Sequence, residues 1–221
     1  MNAITKTGLF KKSRIAQVTI NAARNDNLLN SLKRAGINLL CVGIESLSDD
    51  TLKEFNKPFT AEKNKEAIKK FRKAGFSIHG MMIIGGDGDT PESLKKTSEW
   101  INENLDSVQL SPPIPLPGTR FYDRIEKEGR ILTKKWFLYG VQNLVIKPKN
   151  FTPYELQTTI NKMYEDFYSL KNTLKKIKNS PNKLFNIIIS FLASAPLIGL
   201  INKILNSPTS KAHLEFLKSV S

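Results

Sequence analysis

Between Arg14 and Glu128, short apolar runs alternate with longer amphipathic stretches. The apolar runs lack strict polar alternation and are typical of strands buried in a parallel sheet, whereas the stretches between them carry apolar residues at helical spacing. Glycine or proline marks several of the boundaries. The predicted strands are Arg14–Asn21, Ile37–Ile44, Phe76–Ile84 and Ser107–Leu110, and the predicted helices are Asp26–Ala35, Ser48–Phe55, Thr60–Ala74 and Pro91–Asn104.

The chain is organised around residues 76–93, FSIHGMMIIGGDGDTPES, which predict a buried strand, a glycine-rich turn and the start of a helix. Three glycines interrupt the apolar run, and Thr90 followed by Pro91 is a helix start. The turn would lie at the carboxyl end of a parallel strand, where α/β folds bind ligands. Its spacing matches neither the dinucleotide-binding glycine motif nor the lysine-containing phosphate loop. A tight turn without a ligand is the alternative.

Four strand–helix alternations predict an α/β fold that forms part of a parallel barrel. Beyond them, Leu144–Ile146 is a predicted short strand, and a capping box at Thr152 predicts a helix that reaches about Ile177. We divide the chain into residues 1–150, the partial barrel; residues 151–180, a helix packed on the barrel; and residues 181–221, a basic and apolar tail.

Cysteine usage limits the kinds of site that the chain can hold. Its single cysteine, Cys41, excludes an internal disulfide framework and suggests a reducing compartment. A zinc site with four cysteine ligands and an iron–sulfur cluster held by this chain alone are excluded as well. The first residues contain no long apolar run of the kind found in a secretory signal, so we expect a cytoplasmic protein.

The net charge of +14 is concentrated near the two ends of the chain. Residues 1–14 contain four basic residues and no acidic one, and residues 171–221 contain eight lysines against Glu215. The intervening body is nearly balanced, which argues against a uniform nucleic-acid interface.

The segment Leu184–Asn202 carries no charged residue and follows a lysine-rich stretch. Its length approaches the roughly 20 apolar residues that a bilayer span needs, but it contains polar residues, a proline and a glycine. Three interpretations stay open: a helical pair packed on the body, an interfacial segment held to anionic lipid by lysines, and a true span. Under the interfacial interpretation, residues 171–221 would contact a membrane surface at its inner face.

Polar and apolar groups at the carboxyl ends of the predicted strands form a plausible cradle for a small polar molecule with one flat face. Glu45 could accept hydrogen bonds from a diol, and the glycine backbone could meet a charged end. The side chains of Ile83, Ile84 and Leu110 could flank a ring. For Glu45, the alternative is an acid that stabilises a helix start. His79 stands inside a strand, far from a second histidine or cysteine, which favours core placement over ligation. We assign no catalytic residue and no metal ligand.

Three segments together resemble the later part of radical S-adenosylmethionine (SAM) enzymes, closest to the class with a cobalamin-binding domain upstream. They are VGIES at residues 42–46, HGMMIIGGDGDT at residues 79–90 and PLPGTRFYDRIEKEGRI at residues 115–131, and IKPKN at residues 146–150 is also similar. The resemblance covers roughly residues 15–170. It implies an incomplete parallel (β/α)6 TIM-like barrel of which this chain holds strands three to six, followed by a helical C-terminal region.

The resemblance also implies where SAM would lie. By position, the cofactor-binding residues are Glu45 and Ser46 at the ribose, Ile83, Ile84, Gly85 and Gly86 against the adenine, and Leu110, Ser111 and Pro112 beside it.

This sequence departs from the family in the segments that bind the cofactors. The Cys-x3-Cys-x2-Cys loop that holds a 4Fe–4S cluster is absent, as are the cobalamin-binding segment and the strand that holds the methionine amine, and Thr19 stands where similar enzymes usually show arginine. We therefore expect the C-terminal part of a truncated or split enzyme, inactive alone, whose missing N-terminal half or partner chain supplies the cluster. The alternative is a non-catalytic remnant that serves as a binding or membrane-peripheral module.

Overall fold

The computed structural model describes residues 14–179, 203 and 205–221, in which strands alternate with helices before a helical C-terminal region. The strands are β1 Arg14–Val18, β2 Ile37–Glu45, β3 Ser77–Ile83 and β4 Ser107–Ser111. The helices are α1 Asp26–Arg34, α2 Asp49–Glu54, α3 Ala61–Lys73, α4 Pro91–Asn104, α5 Arg120–Lys127, α6 Pro153–Phe167, α7 Leu170–Asn179 and α8 Pro208–Ser219.

The four strands form one parallel sheet in the order β1-β2-β3-β4. Each pair of neighbouring strands is joined by helices, as expected for parallel strands. The prediction of an α/β fold built as an incomplete TIM-like barrel with a helical C-terminal region is confirmed. Within the part of the chain that the structure describes, β1 pairs with β2 alone and stands at one edge of the sheet.

The two faces of the sheet differ in polarity. On one face Leu40, Val42 and Ile44 are fully buried under helices, and this layer is the core. The opposite face is the concave, inner face of the partial barrel. One register row on that face joins four polar residues, in the order Gln17, Cys41, His79 and Ser107.

Glycine ends two of the helices that precede buried strands. Gly36 follows α1 with φ 76°, and Gly75 follows α3 with φ 84°. Glycine adopts this left-handed backbone without steric cost, which explains why the Ala-Gly pair recurs at both helix ends.

Two of the predicted strands are wrong in part or in full. The first strand ends at Val18 rather than Asn21, because the chain turns into a 3-10 helix that buries Ile20 and Ala23. Leu144–Ile146 is not a strand, since the backbone N–H of Leu144 donates to Gln157 and only Ile146 forms a bridge, to Ile131.

The long helix predicted from Thr152 to Ile177 is in fact two helices. The first, α6, ends at Phe167, and α7 begins at Leu170. Ser169 lies in the break, where its hydroxyl donates to the carbonyl of Asp166 and accepts from the N–H of Asn172. A hydroxyl bonded to nearby backbone in this way competes with a continuous helix.

Two tyrosines of α6 and its C-terminal end cover the outer edge of β4. The Tyr164 hydroxyl accepts from the N–H of Leu110 at 2.6 Å and donates to its carbonyl at 2.9 Å. The Tyr168 hydroxyl makes the same two bonds to Val108, each at 3.2 Å. Tyr164 and Tyr168 are four residues apart and Leu110 and Val108 are two residues apart, so each tyrosine reaches one residue of the strand. The hydroxyls thus satisfy backbone N–H and C=O groups at the sheet edge that would otherwise need another strand.

The predicted apolar segment Leu184–Asn202 lies outside the described residues. Among the residues that are described, no helix has the length and apolar character needed to span a membrane.

Candidate functional site

A cavity of about 670 Å³ opens at the carboxyl ends of the strands on the inner face of the sheet. Its walls come from all four strands and from the loop after α2. Polar lining groups include Gln17, Glu45 and Ser111, and the apolar ones include Met81 and Ile83. A volume in this range and a mixture of apolar walls with a few polar groups are typical of small-molecule sites.

Glu45 has an uncommon backbone conformation at the edge of this cavity. Its φ is 65°, and the register between β2 and β3 shifts between Gly43 and Glu45. A non-glycine residue held in this region costs on the order of 1–3 kcal/mol and occurs preferentially at functional sites. The buried Asn64 amide donates to the carbonyls of Ile44 and Ser46, at 2.7 and 3.1 Å, and so holds the backbone on both sides of Glu45.

The carboxylate of Glu45 folds back over the strand because Gly43 has no side chain. A Cβ at Gly43 would lie 2.9 Å from Glu45 Oε1. The same oxygen accepts a hydrogen bond from Lys57 Nζ at 3.2 Å, and both side chains retain about a third of their exposure. Lys57 also lines the cavity, so the site contains an ion pair that a ligand can reach.

The nine residues predicted to contact the cofactor separate into three groups. Glu45, Ile83 and Ser111 line the cavity. The side chains of Ile84 and Leu110 are in the core, and Ser46 is buried with its hydroxyl accepting from the N–H of Ser48. The remaining three residues, Gly85, Gly86 and Pro112, do not line the cavity.

The glycine turn is closed by a carboxylate of the chain itself. Asp89 Oδ2 accepts from the N–H groups of Gly85 and Gly86, at 2.8 and 3.1 Å, and Thr51 donates to Oδ1. Burial raises the pKa of Asp89 above its usual value, against the opposing effect of these hydrogen bonds. The N–H groups of Gly85 and Gly86 are therefore already satisfied and are not available to the charged end of a ligand.

Packing accounts for the glycines of this turn. A methyl group on Gly85, whose φ is 92°, would overlap the side chain of Leu156 on α6, and one on Gly86 would overlap Thr51 on α2. The glycines thus allow the turn after β3 to pack closely against two helices. This agrees with the alternative interpretation of the sequence, a tight turn without a ligand.

An ion network fixes the residue at the tip of the same turn. Arg130 donates to both carboxylate oxygens of Asp87, at 2.6 and 3.0 Å, and Lys149 lies 2.8 Å from Oδ2. Arg124 pairs with Glu54, whose other oxygen accepts the N–H of Asp87. Burial alone would raise the pKa of Asp87, but the hydrogen bonds from Arg130 and Lys149 outweigh it and lower that pKa. Sequence reasoning missed this network, because its members come from distant parts of the chain.

The polar row on the inner face lies deeper in the barrel. His79 Nδ1 and Ser107 Oγ are 2.8 Å apart, burial lowers the pKa of His79, and burial raises the pKa of the neighbouring Cys41. In the part of the chain that is described, no three His, Cys, Asp or Glu residues are grouped so that they could hold a metal ion.

Comparison with known proteins assigns the chain to a family. Residues 4–101 match the radical SAM superfamily. The chain is also 30% identical over 176 residues to bacteriochlorophyllide d C-8(2)-methyltransferase of Chlorobaculum tepidum, a match that covers 78% of this chain and 39% of that protein. The chain belongs to the radical SAM superfamily. A second relative, an uncharacterized methyltransferase of Pyrococcus horikoshii, is 29% identical over 153 residues, with coverage of 69% and 33%.

A solved structure supports the same fold. The archaeal Elp3 of Methanocaldococcus infernus, with an N-terminal deletion, aligns with a TM-score of 0.51 at 17% identity, over 68% of this chain and 32% of that one. At this identity the likeness concerns the fold alone. The radical SAM chain thus spans well under half the length of these relatives.

Of the cofactors that the family uses, only some fit the residues of this chain. The cavity offers a carboxylate for a ribose diol and apolar walls for an adenine, so part of a SAM molecule fits. A 4Fe–4S cluster does not fit, because Cys41 is the single cysteine of the sequence and it lies within β2. No described residue stands out as a cobalamin ligand, and we derive no step through either group.

Proposed function

We propose that this chain provides part of the SAM-binding surface of a cobalamin-type radical SAM methyltransferase. The observation that carries the proposal is the Glu45 carboxylate, held by a strained backbone at the mouth of the inner-face cavity. Strain of this kind persists where surrounding contacts enforce it, and here Asn64 supplies those contacts.

Each part of the cavity has a role in binding the adenosine portion of SAM. Glu45 accepts hydrogen bonds from the two ribose hydroxyls, which replace the exposed bond from Lys57. Met81 and Ile83 lie against the adenine ring, and Ser111 offers a hydroxyl at its edge. When bound to a reduced cluster, SAM supplies the radical chemistry of the family, and the role of this chain is to bind and orient it.

The cluster and the cobalamin are proposed to come from the rest of a longer polypeptide or from a partner chain. The chain alone is therefore inactive. The edge position of β1 supports this proposal, since Ile15 is 65% exposed on a strand whose neighbour on one side is β2. A further barrel strand on the other side would cover that side chain. The methyltransferase relatives support methyl transfer as the reaction.

Binding of SAM to the full chain, measured by isothermal titration calorimetry, tests the proposal. The Glu45→Gln variant keeps the shape but loses the charge, and we expect it to bind about five- to tenfold more weakly, since hydrogen bonds to charged groups are the stronger ones. Glu62→Gln, at the exposed start of α3, is the matched control and should bind as the wild type does. Equal affinity of Glu45→Gln and wild type would contradict the assignment.

One observation favours a second candidate, a non-catalytic module at the inner face of a membrane. Leu170 and Leu174 of α7 are 74% and 67% exposed, stand one turn apart and alternate with Lys171 and Lys175. Such a pattern fits an interfacial helix on anionic lipid. Co-sedimentation with phosphatidylglycerol vesicles should then fall for Leu174→Ser and stay unchanged for Lys63→Ser on α3. Binding without this dependence on Leu174 would argue against the module.

A further inference from the structure

A second, largely apolar cavity lies far along the chain from the SAM site. It has a volume of about 470 Å³ and lies between the irregular segment 132–138 and helix α8. Its lining includes Leu132, Phe137, Leu138, Ala212 and Phe216. We call this space the C-terminal groove. Phe137 keeps 74% of its surface exposed, so the groove presents apolar area that a ligand would remove from water.

The C-terminal groove also contains a buried histidine with an unused ring nitrogen. His213 of α8 is 4% exposed and lines the groove. Its Nε2 lies 2.9 Å from the carbonyl oxygen of Leu144. A carbonyl only accepts, so Nε2 carries a hydrogen and donates it. Nδ1 is buried and has no hydrogen-bond partner.

The protonation state of His213 defines what Nδ1 can bind. Burial lowers the pKa of the imidazole, although the bond to Leu144 acts in the opposite direction. The ring is therefore neutral at pH 7, and Nδ1 holds a lone pair that can accept one hydrogen bond. A buried acceptor without a partner costs about 1–3 kcal/mol, so the site gains when a donor is supplied.

The His213 side chain borders two spaces. His213 also borders a small polar cavity of about 10 Å³ together with Gln157 and Asn161. One water needs at least about 10–15 Å³, so that cavity is at the lower limit for a single water. The C-terminal groove is much larger and has room for an organic ligand.

We infer that the C-terminal groove is a binding site for an amphipathic organic molecule with an apolar body and one hydroxyl or N–H group that donates to His213 Nδ1. Exposed Lys135 at the rim adds a cation for an anionic end of such a molecule. Among the residues that the structure describes, the groove and the SAM site share no lining residue. An experiment that contradicts one proposal therefore leaves the other unaffected.

A pair of probes that differ only in the donor tests the inference. 2-Naphthol offers a hydroxyl, whereas 2-methoxynaphthalene has the same ring system without a donor. Each is titrated into the full chain loaded with the dye 8-anilinonaphthalene-1-sulfonate, and dye displacement is read by fluorescence. We expect 2-naphthol to bind about three- to tenfold more tightly, the range of a single hydrogen bond in a desolvated site.

Variants test whether the probes bind in the C-terminal groove and whether His213 causes the preference. In His213→Phe the preference for 2-naphthol should vanish, and in Ala212→Trp, which fills the groove from an exposed position, both probes should bind more weakly. Lys63→Ser on α3 is the matched control outside the groove and should leave both affinities unchanged. Circular dichroism checks that each variant folds. Equal affinity of the two probes for the wild-type chain would overturn the inference, whatever the variants do, and so would full binding to Ala212→Trp.

Discussion

Replacing Tyr164 by phenylalanine removes a single oxygen and leaves two backbone groups of Leu110 without their partner. Each such bond contributes a net 0.5–1.5 kcal/mol, and a partly buried unpaired group costs a similar amount. We therefore expect Tyr164→Phe to lower the free energy of unfolding by about 1–2 kcal/mol. The hydrogen bonds of Tyr168 are longer, so Tyr168→Phe should cost less. With a urea dependence of about 2 kcal/mol per molar, the Tyr164→Phe midpoint falls by roughly 0.5–1 M.

Urea unfolding followed by circular dichroism measures this change, and Tyr122→Phe is the control. The Tyr122 hydroxyl bonds to Glu126 at the surface, so its removal should change the free energy of unfolding by no more than about 0.5 kcal/mol. A midpoint for Tyr164→Phe that coincides with that of the control would refute the idea that α6 protects the sheet edge.

The same tyrosine predicts a dependence on pH. Burial raises the pKa of Tyr164 to about 12. The folded state therefore favours the neutral phenol, and its contribution to stability is complete below the usual pKa of 10 and is lost as pH rises toward 12. Tyr164→Phe should lack this part of the alkaline loss.

Three further predictions concern the turn after β3. Asp89→Ala leaves the amides of Gly85 and Gly86 without an acceptor and should lower the free energy of unfolding by about 2–3 kcal/mol in urea titrations, whereas Asp89→Asn keeps an oxygen for them and should cost clearly less. Gly85→Ala combines a positive φ with overlap on Leu156 and should lower the melting temperature by several degrees; an unchanged value would remove the packing role. Because the pKa of Asp87 is lowered in the folded state, its contribution to stability is present above pH 4 and is lost as pH falls through the folded pKa, so Asp87→Asn should flatten the acid limb of a pH–stability curve.

The order of strands and helices could be predicted because it depends on local patterns. Apolar runs such as Ile37–Ile44 and capping residues such as Thr90 and Thr152 act within one turn or one strand, and they fold as the pattern indicates. Glu45 could be placed at the carboxyl end of a strand for the same reason. The left-handed backbone of Glu45 could not be predicted, since it depends on hydrogen bonds from Asn64 on α3.

The contacts that the sequence did not reveal join residues far apart in the chain. Tyr164 bonds to Leu110 and Arg130 bonds to Asp87, and neither pair shares a local motif. The glycine turn was interpreted as a possible ligand cradle because glycine allows any close approach, whether by a ligand or by a helix. The positions of α2 and α6, whose side chains lie beside Gly86 and Gly85, account for the close approach in this structure. No sequence pattern around His213 predicts its unpaired ring nitrogen, because the burial of that nitrogen depends on residues elsewhere in the chain.

The central claim is that the inner-face cavity binds SAM, and methionine methyl groups report on it directly. The chain contains four methionines, of which Met81 lines the cavity, whereas the side chains of Met82 and Met163 are buried in the core. With methyl-labelled methionine, a titration with SAM followed by NMR should shift the Met81 signal most strongly and in a saturable way, and it should leave Met163 in place. An unmoved Met81 signal at millimolar SAM, or an equal shift for Met163, would contradict the account.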